Sequence, residues 1–555
     1  MDRPWLAQYP DGVPADLAPH SYRSLVDVLE ESFERFAASP AFYFMDATLT
    51  YRRLDRASRA FAGYLQSLGL AKGDRVMLMM PNVPQYPVAL AGALRAGMTV
   101  VNANPLYTPC ELEHLLTDSG ARVAVVLQDV AEALAACQGA TGLEHVVVTT
   151  IGDAFPWYKG WVVDLVRTRK GGKTTPMVEG AAAWRSALRR GRAKGLSPVE
   201  IGPEDVALLQ YTGGTTGAPK AATLLHRNVI ANTLQAELWF EPAMKTTPAG
   251  EQRTFVCALP LYHIFGFTVS MMLALRTGGV NILIPNPRDL PALFKELGRR
   301  PFHLFPAVNT LFAAIARHPR AKTVDWSSLK LSVGGGMTVQ PKTAELWQDL
   351  TGTPICEGYG LSETSPVISC NSTSPAAFTK CVGLPLPSTE MAIVDDDGRR
   401  LGVGEKGEIV VRGPQVMPRY WNDPEETAAA MLPDGFFRTG DIGVMDETGH
   451  FCIVDRKKDT INVSGFTVHP SEIEAVVLKM PGVVEAAAVA MPHEVSGEAV
   501  RLVVVTSDPT ITASSVKAFC RTDLTGYKRP HVVEFRDELP KSGVGKVLRR
   551  MLRDV

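Results

Sequence analysis

The sequence predicts an α/β protein with a large N-terminal domain of stacked α/β sheets, a β subdomain and a small α+β domain at the C-terminus. Over two long stretches, strand-like apolar runs alternate with helix-length segments. Between Met391 and Val454 the pattern changes to short strands and turns, and after Asp455 the alternation returns on a smaller scale. A chain of 555 residues is also too long for one hydrophobic core, which favours several domains.

The elements of the two long stretches follow in order. Apolar residues from Leu25 recur at helical spacing, and Ala41–Tyr51 is typical of a hairpin. The predicted strands that follow are Arg75–Met80, Thr99–Asn102, Arg122–Leu127, His145–Thr150, Val206–Leu209, Thr254–Leu259, Val280–Ile284 and Leu329–Val333. Because helix-length segments separate these strands, they are expected to form parallel sheets.

The C-terminal third differs in its turns. Asp396–Gly398 and Glu447–Gly449 are tight-turn sequences between short strands, which predicts an antiparallel β subdomain from about residue 385. The predicted elements after Asp455 are helices at Pro470–Met480 and Thr512–Thr522 and strands at Val483–Met491 and Val500–Thr506. About a hundred residues are enough for a separate α+β domain.

Composition excludes several classes of protein. The net charge of −1 gives no overall positive field, so no nucleic-acid partner is expected. The eight cysteines are scattered without a C-x-x-C pair, which favours the reducing cytosol and argues against a zinc site. The N-terminus lacks a signal pattern, and the apolar run Ile264–Leu275 is shorter than the ~20 residues that span a bilayer. A cytoplasmic protein is predicted.

The segment Lys159–Gly195 departs from this average. It holds ten Lys or Arg residues against two acids, and four aromatic residues lie in or beside it: Trp157, Tyr158, Trp161 and Trp184. Basic residues with interfacial aromatics suit an anionic membrane surface, which predicts peripheral contact with the inner face of the cell membrane. The alternative is a solvated excursion between strands.

The stretch QYTGGTTGAPKAAT, Gln210–Thr223, has the character of a phosphate-binding loop. Glycine lets backbone N–H groups approach phosphate oxygens, threonine hydroxyls add donors and the lysine adds a cation. The candidate residues are Thr212, Gly213, Gly214, Thr215, Thr216, Gly217 and Lys220. The loop is not a Walker A motif, because Pro219 precedes the lysine and Ala221 follows it. The alternative is a surface Gly/Thr turn.

Three further clusters are candidates. In EGYGLSETSP, Glu357–Pro366, Glu363 could hold Mg²⁺ and Tyr359 offers a flat face to a purine, although a lone acid is more often a surface residue. In RTGDIG and VDRKKDTINVSGF, Asp441 and Arg456 could grip ribose hydroxyls, or form only a cap or an ion pair. LPKSGVGKVLRR, Leu539–Arg550, presents a flexible lysine or a basic terminal tail.

Taken together and in this order, the clusters resemble the adenylate-forming superfamily of acyl-CoA synthetases, nonribosomal peptide adenylation domains and luciferases. The resemblance covers almost the whole chain through five separate motifs. The nearest likeness is to bacterial long-chain fatty-acid–CoA ligases, and it rests on YTGGTTG, LPLYHIFGF, YGLSE, IVDRKKD with VSGF, and ELPKSGVGK followed by LRRMLRD.

The resemblance implies that ATP and a fatty acid form an acyl-AMP and pyrophosphate, after which coenzyme A displaces AMP. It implies that Thr212 to Lys220 hold the β- and γ-phosphates, that Ser362 binds phosphate and that Glu363 holds Mg²⁺. Tyr359 and Gly360 would lie near adenine, with Gly334, Gly335 and Gly336 on the opposite side. Asp441 and Arg456 would hold the ribose hydroxyls. Lys546 would reach the α-phosphate and carboxylate oxygens, where charge grows in the transition state.

For the second step the resemblance implies a small mobile domain that rotates about Lys458. The implied domains are 1–455, a hinge at 456–460 and 461–555. Rotation would withdraw Lys546 and bring Ser464, Gly465 and Phe466 to the pantetheine tunnel. His263 would sit by the reacting carboxylate, although a lone histidine in an apolar run is otherwise a core residue, and Trp239 would gate the acyl tunnel.

Two positions depart from the family pattern, and alternatives remain open. Ala221 and Arg419 stand where glycine is commoner, and a positive φ at Arg419 would cost on the order of 1 kcal/mol. The alternative functions are a medium-chain or aryl acid–CoA ligase, a non-catalytic nucleotide-binding regulator and a carrier-protein acyl-AMP ligase. A homodimer is a further candidate assembly.

Overall fold

The computed structural model describes residues 3–169, 178–212, 219–373, 378–464, 466–494, 496–542 and 545–553. The chain divides into two compact units, which are described separately. The larger unit comprises Met1–Thr212, Pro219–Glu390 and Arg412–Ala429. The smaller unit contains Met391–Val411 and Ala430–Val555.

Within the described residues, the larger unit holds a mixed sheet of nine strands. In spatial order they are Leu384–Pro385, Val367–Cys370, Ile355–Gly360, Leu331–Gly334, Leu304–Ala307, Thr254–Cys257, Val280–Leu283, Pro40–Phe44 and Ala47–Thr50. The strands from Ile355–Gly360 to Pro40–Phe44 pair in parallel, and the pairs at both edges are antiparallel. Their near-continuous apolar sequences suit a sheet that is covered on both faces.

A second sheet of the larger unit has eight strands in the part of the chain that is described. In spatial order they are Arg419–Tyr420, Lys220–Leu225, Val206–Thr212, Thr99–Asn102, Arg75–Met79, Ala121–Leu127, His145–Thr149 and Ala182–Ala183. Lys220–Leu225 pairs antiparallel with both of its neighbours, and the remaining pairs are parallel.

Capping boxes begin two of the helices of the larger unit, Leu25–Arg35 and Pro109–Ser119. Ser24 and Asp27 form a capping box at the first helix, and Thr108 and Glu111 form another, so the first N–H groups of each helix are bonded. The helices are Leu25–Arg35, Tyr51–Ser67, Gln85–Arg95, Pro109–Ser119, Ala131–Cys137, Trp157–Arg169, Trp184–Lys194, His226–Met244, Leu273–Thr277, Leu290–Leu297, Asn309–Arg317, Pro341–Thr351 and Pro424–Ala430, with a π-helical segment at Gly266–Met272.

The smaller unit contains two sheets within the described residues. The first is antiparallel along Gly407–Arg412, Phe437–Met445 and Phe451–Arg456, with Glu390–Val394 at its edge. The second comprises Phe466–Val468, Ile461–Val463, Gly497–Thr506, Val483–His493 and Val532–Phe535. The helices are Pro470–Val477, Ala513–Asp523 and Arg550–Arg553. Buried Ile473, Leu502 and Val516 join the first two helices to the second sheet.

The predicted α/β fold class is confirmed, as is the change to antiparallel strands after residue 390. The predicted bounds 1–455 and 461–555, the hinge at 456–460 and the rotation of the small domain stay predictions. Among the described residues, no helix combines the length and the apolar character needed to cross a bilayer.

One prediction within the basic segment is wrong. Trp184 is not an interfacial residue, because it is buried and its ring lies 5.2 Å from that of Phe61. The helix Trp184–Lys194 approaches Tyr51–Ser67 so closely that a Cβ at Gly191 would lie 1.7 Å from the carbonyl oxygen of Ala60. Residues 170–177 of the segment lie outside the described residues.

Candidate active site

The predicted phosphate loop lies between two strands that are antiparallel neighbours, with Thr212 opposite Lys220. Residues 213–218, which include Gly213, Gly214, Thr215, Thr216 and Gly217, lie outside the described residues, so the loop stays a prediction. The Lys220 ammonium lies 2.7 Å from Glu426 Oε1 and 5.9 Å from the centre of the Tyr420 ring. Its charge is therefore already balanced beside the loop.

Glu363 lies in a buried turn, Ser362–Thr364, and is 8% exposed. Its Oε1 accepts a hydrogen bond of 2.9 Å from the Tyr420 hydroxyl, and its backbone oxygen accepts the Met417 N–H. Burial and the Glu363 charge raise the pKa of Tyr420, so the tyrosine remains a donor at neutral pH. Glu363 is therefore not the surface acid of the alternative interpretation, although its predicted role towards Mg²⁺ stays a prediction.

Tyr420 has no predicted role, although it directly follows Arg419 in the turn MPRYWNDPEET. The same turn resolves the question of Arg419. Arg419 pairs with Thr223 in the eight-stranded sheet, and the positive φ of this turn, 54°, belongs to Asn422. The conditional strain at Arg419 therefore does not arise.

The predicted adenine slot lies where two parallel strands end side by side. Gly334, at the end of its strand, is the register partner of Glu357, and Tyr359 is 8% exposed. A Cβ at Gly335 would lie 2.9 Å from the Phe265 ring, and Gly336 has a φ of 77°. Ligands of α/β sheets commonly bind at the carboxyl ends of such strands.

Gly360 also permits a close approach in this region. A Cβ there would lie 1.8 Å from the Pro366 carbonyl oxygen, so the turn that carries Ser362 and Glu363 requires glycine at this position. The predicted roles of Tyr359, Gly360 and Ser362 towards nucleotide stay predictions.

Glu357 begins the EGYG motif and has no predicted role. Its Oε1 accepts the Val339 N–H at 2.9 Å, and its Oε2 has no hydrogen-bond partner among the described residues. Burial raises the pKa of Glu357 to about 7. Glu357 is thus a buried carboxyl group beside the candidate adenine slot that changes its charge near neutral pH.

His263 lies in the loop before the π-helical segment Gly266–Met272 and is half-buried. Its Nδ1 accepts the Phe265 N–H at 3.3 Å, which orients the ring. Trp239 is fully buried, and its indole N–H donates to the Asn371 carbonyl at 3.0 Å. The predicted roles of both residues towards the acyl chain stay predictions.

Asp441 and Arg456 face each other on adjacent antiparallel strands of the smaller unit. Arg456 Nε lies 3.0 Å from Asp441 Oδ1, and Asp441 is buried while Arg456 is partly exposed. The two residues that were predicted to hold ribose are therefore one ion pair. Their predicted role of holding the ribose hydroxyls stays a prediction.

Lys546 lies in the same unit as this pair. Burial and the Arg456 charge lower the pKa of Lys546 to about 8, against the attraction of Asp441 and Asp459. Its backbone N–H donates to the Ser542 hydroxyl at 3.1 Å, and its carbonyl accepts the Ser542 N–H at 2.7 Å. Ser542 and Lys546 are thus hydrogen-bonded to each other, unlike residues of a loose basic tail, and the lysine interacts electrostatically with Asp441 and Arg456.

A partly buried ion network holds the residues that follow the lysine. Arg549 lies 3.1 Å from Asp459 and 2.9 Å from Glu474, and Arg553 lies 2.9 Å from Asp459. Arg553 also donates to the backbone oxygen of Lys458 at 3.1 Å. The C-terminal residues are therefore tied to the turn Lys457–Asp459, where the hinge is predicted. The sequence suggested only a run of basic residues here.

The predicted pantetheine residues lie at a hairpin turn of the smaller unit. Ser464 has a φ of 53°, and its N–H donates to the Ser496 carbonyl at 2.9 Å. Gly465 lies outside the described residues. Phe466 is 56% exposed and stacks on Tyr527, with ring centres 4.8 Å apart. The predicted role of these residues towards coenzyme A stays a prediction.

Comparison with known proteins places these features in a family. The sequence matches the family model of the AMP-binding enzyme over residues 29–421 and that of the AMP-binding enzyme C-terminal domain over residues 472–546. It is 51% identical to a long-chain-fatty-acid–CoA ligase of Escherichia coli O157:H7, over 100% of this chain and 98% of that protein. It is 36% identical to a long-chain-fatty-acid–CoA ligase of Bacillus subtilis strain 168, over 99% and 97% of the two chains.

A solved structure is similar to this protein along nearly the whole chain. ATP-bound MatB from Rhodopseudomonas palustris superposes with a TM-score of 0.80 at 28% identity, and the match covers 95% of this chain and 98% of that one. Because one family model covers most of the chain and relatives match along its whole length, the chain belongs to the AMP-binding enzyme family.

Proposed function

We propose that this protein joins a long-chain fatty acid to coenzyme A in two steps. The carboxylate attacks the α-phosphorus of ATP to give an acyl-AMP and pyrophosphate, and the thiol of coenzyme A then attacks the acyl carbon and releases AMP. The identity of 51% to a long-chain-fatty-acid–CoA ligase over the full chain supports this substrate class.

The observation that carries the proposal is the position of Lys546. A carboxylate and a triphosphate repel each other, so the first step requires fixed positive charge at the reacting oxygens. The smaller unit holds Lys546 within electrostatic reach of Asp441 and Arg456, the proposed ribose pair. A lysine placed there would reach the α-phosphate, which adjoins the ribose.

The larger unit would bind the other parts of ATP. Thr212 to Lys220 would hold the β- and γ-phosphates, Ser362 would add a donor, and Tyr359 would lie against adenine between Gly360 and Gly334–Gly336. Glu363 would hold Mg²⁺, which neutralises phosphate charge when bound. A single buried carboxylate suits this ion, because Mg²⁺ commonly takes one or two carboxylates and completes its shell with waters and phosphate oxygens.

The second step requires that Lys546 leave the phosphate, so that the thiol can approach. The proposed rotation occurs at Lys458 in the hinge 456–460, and it brings Ser464, Gly465 and Phe466 to the pantetheine path. The left-handed backbone at Ser464 supports a tight turn at this point. His263 would face the reacting carboxylate.

The alternatives differ in what they require of these residues. A medium-chain or aryl acid ligase uses the same charges with a different acyl pocket. A nucleotide-binding regulator has no need of a partly buried lysine that interacts electrostatically with the ribose pair, and a carrier-protein ligase has no need of coenzyme A. The full-length similarity to two long-chain ligases favours the first proposal.

The test is a substrate profile. ATP- and coenzyme A-dependent AMP release is measured with acids from butanoate to octadecanoate and with cinnamate. A maximum at hexadecanoate or octadecanoate supports the proposal. A maximum at short or aromatic acids contradicts the substrate class, and AMP release that needs no thiol contradicts the second step.

The proposal extends to location and partners. We infer a cytoplasmic enzyme that contacts membrane lipid at the inner face of the cell membrane through Lys159–Gly195, and that forms a homodimer. The excess of basic residues in this segment supports the lipid contact. Light scattering of the purified protein decides the assembly, because a monomer mass at micromolar concentration contradicts the dimer.

A further inference from the structure

The helix Trp157–Arg169 turns large apolar side chains outward. The exposed fractions of Trp157, Tyr158, Trp161, Val162 and Val166 are 75%, 58%, 66%, 49% and 45%. Because successive residues of an α-helix are about 100° apart, these five positions cover one half of the helix circumference. They are called the aromatic face below.

Two residues outside this half of the circumference, Gly160 and Asp164, fix the same helix to the protein. The Asp164 carboxylate accepts hydrogen bonds of 2.8 Å from the Gly152 N–H and the Thr150 hydroxyl. A Cβ at Gly160 would lie 2.3 Å from the Gly152 carbonyl oxygen. The helix therefore cannot turn its aromatic residues inward without breaking these contacts. An ordinary surface helix buries its apolar face, whereas this helix exposes it.

Positive charge surrounds this face in the sequence. The range 157–195 holds ten Lys or Arg and two Asp or Glu, a net charge of +8, whereas the whole chain carries −1. The rest of the chain therefore carries −9. Six of these basic residues are exposed in the described part of the chain: Lys159, Arg185, Arg189, Arg190, Arg192 and Lys194.

We propose that the aromatic face is a docking surface for an anionic lipid bilayer, with the helix lying in the interface. Trp and Tyr favour the level of the lipid headgroups, and basic residues are attracted to anionic lipid. Two copies of a segment with a charge of +8 repel each other, which favours lipid over a second copy as the occupant. This proposal deepens the inferred lipid contact: Trp184–Lys194 supplies charge, and Trp157–Arg169 supplies the surface that inserts.

Docking would also place the protein where its proposed substrate is concentrated, because long-chain acids partition into bilayers. This advantage rests on the proposed ligase function. The vesicle-binding experiment is independent of that function, because it contains no ATP, coenzyme A or fatty acid.

The test is flotation of the full chain with vesicles of phosphatidylcholine containing about one third phosphatidylglycerol, beside vesicles of phosphatidylcholine alone. The double substitution Trp157→Ser with Trp161→Ser is expected to lower the affinity for the anionic vesicles on the order of tenfold or more. Leu106→Ser is the matched control, since Leu106 and Trp161 are both 66% exposed, and it should leave binding unchanged.

A second measurement reports insertion directly. Brominated lipid should quench the tryptophan fluorescence of the unsubstituted protein more than that of the double variant. Unchanged flotation of the double variant overturns the proposal. So does a double variant that loses a dimer seen in light scattering while neither protein binds vesicles, because that result assigns the face to a second copy.

Discussion

Glu357, beside the candidate adenine slot, makes the free energy of unfolding depend on pH. Burial raises its pKa to about 7, from the ordinary value of 4.5. Since the folded-state pKa is the higher one, the unfolded chain releases this proton first. The contribution of Glu357 to the free energy of unfolding therefore falls as the pH rises from 4.5 to about 7, and stays low above that.

Glu357→Gln, which resembles the protonated acid, should therefore stabilise the protein above the raised pKa. We expect a gain on the order of 1 to 3 kcal/mol at about pH 8 and almost none at about pH 4.5, measured by chemical unfolding. Glu345→Gln on the exposed face of Pro341–Thr351 is the control and should show neither gain. An equal effect of Glu357→Gln at both pH values would contradict the assignment.

A second prediction at the residue scale concerns how the first step depends on the charge of Lys546. Its pKa of about 8 means that the ammonium, which the first step requires, is lost as the pH rises through that value. ATP–pyrophosphate exchange should decline above about pH 8, and Lys546→Arg should move that decline to higher pH, because the guanidinium stays charged. An identical alkaline decline in both proteins would show that another group is responsible.

At the scale of elements, the partly buried ion pairs of Arg549 join the residues that follow Lys546 to the turn Lys457–Asp459. Arg549 bonds both carboxylate oxygens of Glu474 at 2.9 Å, so replacing its fork by one ammonium must loosen the segment. Arg549 is thus a positioning residue for Lys546 in the proposed mechanism.

We expect Arg549→Lys to slow ATP–pyrophosphate exchange on the order of tenfold, while thioester formation from preformed acyl-AMP changes less. Arg536→Lys is the matched control, because Arg536 pairs with Glu534 in the same unit at 2.6 Å and is similarly half-buried. Equal losses in both half-reactions, accompanied by a lower melting temperature, would show that Arg549 is only structural.

The sequence predicted most of the elements because their patterns are local. The parallel strands of the larger unit, such as Thr99–Asn102, are short apolar runs separated by helix-length segments, and this order survives in the sheet. Trp184 was mistaken for an interfacial residue because its burial depends on a helix contact with Phe61, more than a hundred residues earlier.

In the candidate site, too, local patterns were predictable and contacts between distant residues were not. Asp441 and Arg456 were predicted as a pair from two motifs, and their hydrogen-bonded strands place them opposite each other. Tyr420 and Glu357 were missed because their importance arises from burial and from partners that are distant in sequence. Arg549 carried only a basic-tail signal, since its acidic partners Asp459 and Glu474 are separated from it by at least 75 residues.

At the scale of the whole molecule, the central claim is that one lysine serves only the first of two steps. The family models match residues 29–421 and 472–546. Because Lys546 interacts electrostatically with the proposed ribose pair of its own unit, removal of its charge should spare the chemistry that begins after acyl-AMP has formed.

The most direct measurement compares the two half-reactions in Lys546→Ala. With ATP, free hexadecanoate and coenzyme A, thioester formation should fall on the order of a hundredfold or more, because a transition-state charge is no longer stabilised. With preformed hexadecanoyl-AMP and coenzyme A, the same variant should form the thioester at nearly the unsubstituted rate. Thioester synthesis from ATP and free acid at the unsubstituted rate would contradict the account.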